Sequence, residues 1–153
     1  MTSPRSPHTV EVCDVAPAAA SDIWAIIADP TTYATWVAGT VMSRSGAGEW
    51  PAAGASLRHR WGLWPVHFRD RTIVTGCREQ DRLDLDVRVG ALARVVATIR
   101  LVPEAHGTRI VLRETVVGGF ALRFGPLTRR IQLWRNRRSL ATLVRMSAAG
   151  RPQ

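Results

Sequence analysis

A chain of 153 residues has the size of one ordinary domain, long enough to bury about two-thirds of the surface its unfolded form exposes. Its 46% hydrophobic and 22% charged content excludes a disordered chain. No apolar run reaches the ~18 residues of a membrane span, and the opening MTSPRSPH has no apolar signal core, so a cytoplasmic protein is expected. The net charge of +9 is unevenly placed: all 21 basic residues are arginine, and eight of them lie from Phe120 onward with no acid among them, leaving 13 arginines against 12 acids before that point. Exclusive use of arginine fits a GC-rich coding bias as well as a functional demand, so charge alone assigns no phosphate partner. Cys13 and Cys77 stand far apart, with no CxxC and no companion histidine spacing; they read as small buried hydrophobes, and neither a metal site nor a cofactor is expected.

In chain order, TVEVCDV (9–15) has the β-branched content of a first strand. Ser21 is the expected N-cap of a short helix over DIWAIIAD, with Asp22 in its first turn, and Pro30 after Asp29 stops it. Pro30 then opens a second short helix, PTTYATW. Six strands follow at 39–45, 55–61, 66–76, 82–89, 93–102 and 108–117, with EAHGTR turning between the last two. Gly118-Gly119 reads as a hinge, and Pro126 opens a long helix over 126–148. No internal repeat or low-complexity linker interrupts this order. A disordered tail is expected at 1–8, one domain at 9–148 and a short tail at 149–153.

The order strand, two short helices, six strands, long helix, with ADPTTYATW after the first strand and WRNRRSLATLVRM near the end, resembles the START-like helix-grip (SRPBCC) superfamily. Within it the closest likeness is to the bacterial polyketide cyclase/dehydrase and lipid-transport group. The resemblance implies an α+β helix-grip fold: a curved seven-stranded antiparallel sheet wrapped around the C-terminal helix, with a cavity between them. It also implies a choice among carriers, cyclases, hydrolases and regulators that the fold does not make.

HRWGLWPVHFRDR (59–71) reads as a hairpin. With Gly62-Leu63-Trp64-Pro65 as the turn, His59 pairs with Phe68 and Leu57 with Asp70. Alternation then sets Leu57, His59, Trp61, Val66, Phe68 and Asp70 on one face, and Arg58, Arg60, His67, Arg69 and Arg71 on the other. On the apolar face His59 and Asp70 are diagonal neighbours. On one reading Asp70 orients His59 as a general acid or base; on the other the two satisfy each other at a pocket edge. The arginine face is expected to be solvated, with Asp84 and Asp86 on the next strand as partners.

Glu114 shares the parity of Ile110, Leu112 and Val116 and is expected to face inward, where a carboxylate needs a partner. On the long helix Leu127, Ile131, Leu133, Trp134, Leu140, Ala141 and Val144 form one broad apolar arc that contains Arg137. Arg137 is therefore expected either to pair with Glu114 across the cavity or to reach the cavity rim. Tyr33, Trp36, Trp61 and Trp64 stand nearest the mouth, while Trp24 and Trp134 read as core.

The first functional reading is a protein that binds a small hydrophobic or aromatic molecule (a lipid, isoprenoid or polyketide-like compound) through Tyr33, Trp36, Leu57, Trp61, Trp64, Phe68, Leu85, Glu114, Trp134 and Arg137. The second is a polyketide cyclase or dehydratase in which His59 and Asp70 move protons and Arg137 stabilises an enolate oxygen. The C-terminal arginines are spread around their helix, so a nucleic-acid partner is not expected; weak, salt-sensitive contact with an anionic membrane is the third reading. The sequence is compatible with a monomer or a homodimer.

Overall fold

The structure is a computed structural model that describes residues 8–63 and 65–150, apart from the side chains of residues 61–63 and 67. Seven strands form one antiparallel sheet: β1 (His8–Ala16), β2 (Thr40–Ser45), β3 (Ser56–Leu63), β4 (Val66–Arg78), β5 (Arg82–Val89), β6 (Ala93–Glu104) and β7 (Gly107–Gly118). Their spatial order is β1-β7-β6-β5-β4-β3-β2, so the chain's first strand pairs with its last and β2 forms the opposite edge. Helices α1 (Ala20–Ile27) and α2 (Tyr33–Trp36) cross between β1 and β2, and α3 (Gly125–Ala149) lies against the concave face, packed chiefly on β1 and flanked by α1 and α2. This is the helix-grip arrangement expected from the element order.

Local chemistry explains most boundaries and two differences. Helix α1 starts two residues before the expected place, because Ala19 is its N-cap and the Asp22 carboxylate accepts from the Ala19 N–H at 3.4 Å, leaving Ser21 inside the first turn. The segment after Asp29 is not one helix but a 3₁₀ turn, Pro30–Thr32, followed by the single turn of α2. Asp29 caps that turn, accepting from both the backbone N–H (2.9 Å) and the hydroxyl (2.6 Å) of Thr31. Of the expected terminal tails, residues 1–7 and 151–153 lie outside the described residues, while His8 belongs to β1 and Ala149 to α3. Cys13 and Cys77 are free and exposed rather than buried: Cys13 alternates onto the outer face of the sheet, and Cys77 lies past the β4 bulge near the end of its strand.

The core follows strand alternation. On β6, Val95, Ala97, Ile99 and Leu101 face inward; on β7, Ile110, Leu112 and Val116 do. Most of them meet Ile23, Trp24 and Ile27 of α1 in one cluster, joined by Leu140 and Leu143 of α3. Trp24 is core, as expected. Among the described residues, no helix is long and apolar enough to cross a membrane.

The hinge at Gly118-Gly119 leads into a 3₁₀ segment, Phe120–Phe124, that is stitched to the β5–β6 turn: Phe120 N–H donates to Ala91 O at 3.2 Å and Ala121 N–H to Leu92 O at 2.8 Å. Gly119 has φ 91° and ψ 179°, a region open essentially to glycine alone. A Cβ there would also stand 2.6 Å from Leu92 O. Gly119→Ala is therefore expected to lower unfolding stability by about 1–3 kcal/mol, read as a shift of the urea midpoint without a change of slope.

Candidate ligand-binding site

Two adjoining spaces lie between the sheet and α3. The outer one is an apolar cleft of about 200 Å³ under the 3₁₀ segment and the start of α3, walled by Val89, Val95, Val116, Phe124, Leu127 and Ile131. The inner one is a chamber of about 40 Å³ reached by Tyr33, Trp36, Asp70, Leu85, Glu114, Asn136 and Ser139. Arg135 borders both and stands at the threshold.

The chamber exists because α3 turns a polar face to the sheet. Gln132, Asn136 and Ser139 are buried, spaced four and three residues apart along one side of the helix. Two hydrogen bonds clamp this side to the backbone that follows α2: Ala38 N–H donates to Ser139 Oγ at 2.8 Å, and Arg135 Nε donates to Ala38 O at 3.4 Å. The remaining polar atoms are not consumed in this way. Trp36 Nε1, Asp70 Oδ1, Glu114 Oε2, Asn136 Nδ2 and both side-chain polar atoms of Gln132 are buried without a hydrogen-bond partner among the described residues. Every one of these residues lines the chamber or the cleft. Leaving such a group unpaired costs about 1–3 kcal/mol, and these atoms are gathered around the two spaces.

Behind the chamber wall, Tyr33 is enclosed by aromatic rings. His59 stacks on it with centroids 4.2 Å apart, Trp36 lies at 5.7 Å and Trp50 meets it edge-on at 6.1 Å. Burial pushes the Tyr33 hydroxyl well above its ordinary pKa. His59 is held by two hydroxyls, with Nδ1 3.1 Å from Ser43 Oγ and Nε2 3.0 Å from Thr72 Oγ1. Burial lowers its pKa to about 4. Asp70 moves the other way: burial raises it to about 7, against the opposing influence of Arg135 and of a backbone hydrogen bond from Arg71, and Glu114 adds to the rise.

The hairpin register differs from expectation by two residues. Leu63 pairs with Val66, His59 with Asp70 and Leu57 with Thr72, because β3 runs two residues past the expected end at Trp61 while β4 starts at Val66 as expected, which shortens the connection from four residues to two. An even shift leaves both faces as expected: Leu57 and His59 are buried, and Arg58, Arg60, Arg69 and Arg71 are exposed. His59 and Asp70 are thus directly opposite, yet they do not bond to each other, since both ring nitrogens of His59 are taken by hydroxyls.

The sequence-derived residues therefore separate. Tyr33, Trp36, Asp70, Leu85 and Glu114 meet at the chamber. Leu57 is fully buried core and Phe68 is half-buried. Trp64 lies outside the described residues, as does the side chain of Trp61. Trp134 and Arg137 are corrected: both lie on the outer side of α3 with Arg130 and Arg138, and Trp134 is 60% exposed. Arg137 consequently faces away from Glu114, and the arginine at the threshold is Arg135. The apolar arc misled because apolar residues are spread almost evenly around α3, and the buried side, at 100° per residue, is rotated from that arc by roughly 120°. Gln132, Asn136 and Ser139 escape a hydropathy reading for the same reason; their spacing at i, i+4 and i+7 is the signal that marks them. Asp84 and Asp86 do not pair with the hairpin arginines: Asp84 bonds Arg82 and Thr98, and Asp86 bonds Arg94.

Comparison with known proteins bears on this geometry. The family model described as polyketide cyclase/dehydrase and lipid transport matches residues 7–147. The chain belongs to this family. Solved structures similar to this family member include the Zhui aromatase/cyclase from Streptomyces sp. R1128, at 16% identity and TM-score 0.68, covering 95% of this chain and 99% of that one. Another is the di-domain ARO/CYC StfQ from the steffimycin biosynthetic pathway, at 11% identity and TM-score 0.77, covering 94% of this chain and 51% of that one. Protein CV1439 from Chromobacterium violaceum is similar at 15% identity and TM-score 0.73, covering 95% and 99%. At these identities the likeness shows the fold. No curated protein matches the sequence.

The two shifted groups give opposed pH dependences. Asp70 has a folded-state pKa of about 7 against 3.8, so its contribution is present at low pH and is lost as pH rises between those values. His59 has a folded-state pKa of about 4 against 6.5, so it stabilises above that range and the stability is lost as pH falls through it. Each has a limiting slope of about 1.4 kcal/mol per pH unit, and between about pH 4 and 6.5 the two offset each other. Asp70→Asn is expected to leave stability rising with pH across this window, and His59→Gln to leave it falling; denaturant titrations at a series of pH values read both slopes.

Proposed function

We propose that the protein binds a small amphipathic molecule, with an apolar body in the cleft and a hydroxyl- or carbonyl-bearing end in the chamber. The observation that carries this reading is the convergence of the unpartnered buried polar atoms of Trp36, Asp70, Glu114, Gln132 and Asn136 where the apolar cleft ends. Spaces of about 200 and 40 Å³ fall below the ~300–1,000 Å³ of pockets for drug-sized ligands, which points to a ligand of one or two rings. Indole quenching by 2-naphthol, with naphthalene as the comparison, tests the polar end. Asn136→Leu is expected to weaken 2-naphthol at least about tenfold, the loss of a buried hydrogen bond, and to leave naphthalene unchanged. Arg137→Gln is expected to change neither. Equal affinity of native protein and Asn136→Leu for 2-naphthol would overturn the reading.

One observation favours a second reading, a cyclase or dehydratase acting on a poly-β-carbonyl chain. Asp70 lines the chamber with its pKa raised to about 7, where a carboxyl group exchanges protons near neutrality. Its carboxylate would take a proton from a carbon between two carbonyls, and Arg135 would stabilise the enolate oxygen. His59, enclosed behind Tyr33, positions that ring and does not reach the chamber lining. Asp70→Asn is expected to abolish turnover of such a substrate while preserving 2-naphthol binding; unchanged turnover would remove Asp70 from the chemistry.

A further inference from the structure

The convex face of the same sheet carries an unusual charge arrangement. Arg44 pairs with Arg58, Arg58 with Arg71, and Arg71 with Arg88, so four arginines stand directly opposite one another across β2, β3, β4 and β5. Arg60 and Arg69 form a second row beside them. Neighbouring strands are about 4.8 Å apart, and like charges directly opposite one another destabilise a sheet. These six side chains wall a groove of about 680 Å³ on this face.

Arginine-rich coding does not account for the pattern, because much of the outer surface beyond the groove is compensated. Arg82 bonds Asp84, Arg94 bonds Asp86 and Arg109 bonds Glu104. Within the groove, Arg88 has a loose contact with Asp86 at 3.9 Å. Arg44, Arg58, Arg60, Arg69 and Arg71 form no ion pair among the described residues. The one acid within β2, β3 and β4 is Asp70; it borders the groove through its place in β4, but alternation turns its carboxylate to the chamber on the other face.

We propose that this groove binds a compact anion carrying several phosphates. Guanidinium groups bind phosphate oxygens in pairs, and long side chains from adjacent strands can converge on one small ligand. An extended single-stranded nucleic acid fits less well, since it calls for stacking rings between the charges and no aromatic side chain among the described residues stands in the two rows. The site lies across the sheet from the cavity and does not depend on the function proposed for it.

Calorimetric titration of the native protein with inorganic tripolyphosphate at low salt tests the assignment. One saturable site per chain is expected. The double variant Arg58→Gln/Arg71→Gln should weaken it about tenfold or more, as loss of charge-assisted hydrogen bonds implies, while the thermal midpoint stays unchanged or rises because opposed like charges have been removed. A second pair, Arg44→Gln/Arg60→Gln, should do the same, and Arg82→Gln should leave binding intact. Phosphatidylcholine vesicles with and without phosphatidylinositol 4,5-bisphosphate identify the source. Co-sedimentation with the phosphorylated lipid alone, reversed by tripolyphosphate, supports a lipid headgroup; tripolyphosphate binding without co-sedimentation supports a free anion. No saturable tripolyphosphate binding, binding indifferent to both double variants, or retention of a single-stranded oligonucleotide in its place would overturn the proposal.

Discussion

The arrangement of the interior depends on one unusual burial: α3 presses a polar side, Gln132, Arg135, Asn136 and Ser139, toward the concave sheet. A helix usually gains stability by burying apolar surface. Here the C-terminal half does so through Leu140 and Leu143 in the main core, while the N-terminal half stands over a chamber. The helix is thus anchored in the core at one end and stands over the chamber at the other. The Ala38 backbone holds the chamber-facing half in place by bonding both Ser139 and Arg135.

From that burial follows the electrostatic character of the site. Burial in a low-dielectric space disfavours the charged form of a carboxyl group, and this raises the Asp70 pKa to about 7. His59, on the neighbouring strand, is desolvated in the opposite sense and neutral. The two residues face each other in register yet have separate environments: one is enclosed by hydroxyls and a stacked ring, the other faces the chamber. Adjacency in a sheet does not by itself make a catalytic pair.

Much of the fold is legible in the sequence because strand alternation and punctuation by Gly and Pro act locally. The seven strands, the inward face of Glu114 and the two faces of the hairpin follow from parity, which survives an even error in register. The rotation of α3 is not legible, because it is set by what the sheet offers across the cavity. Leu127 and Ile131 are exposed beside an open cleft, where periodicity alone would bury them. Arg135 and Arg137 differ by two positions and end on different sides of the helix; hydrophobic pattern has no means of choosing between them. Arg44 and Arg88 are each unremarkable in the sequence, and only the strand order brings them into line with Arg58 and Arg71.

The join between the 3₁₀ segment and the β5–β6 turn bears on local stability. Two backbone hydrogen bonds, Phe120 to Ala91 and Ala121 to Leu92, hold that corner over the cleft. Each is worth about 1 kcal/mol net, so parting both costs about 2 kcal/mol and leaves the corner open for a few per cent of the time. The corner therefore belongs to the low-stability end of the fold, where local opening precedes global unfolding.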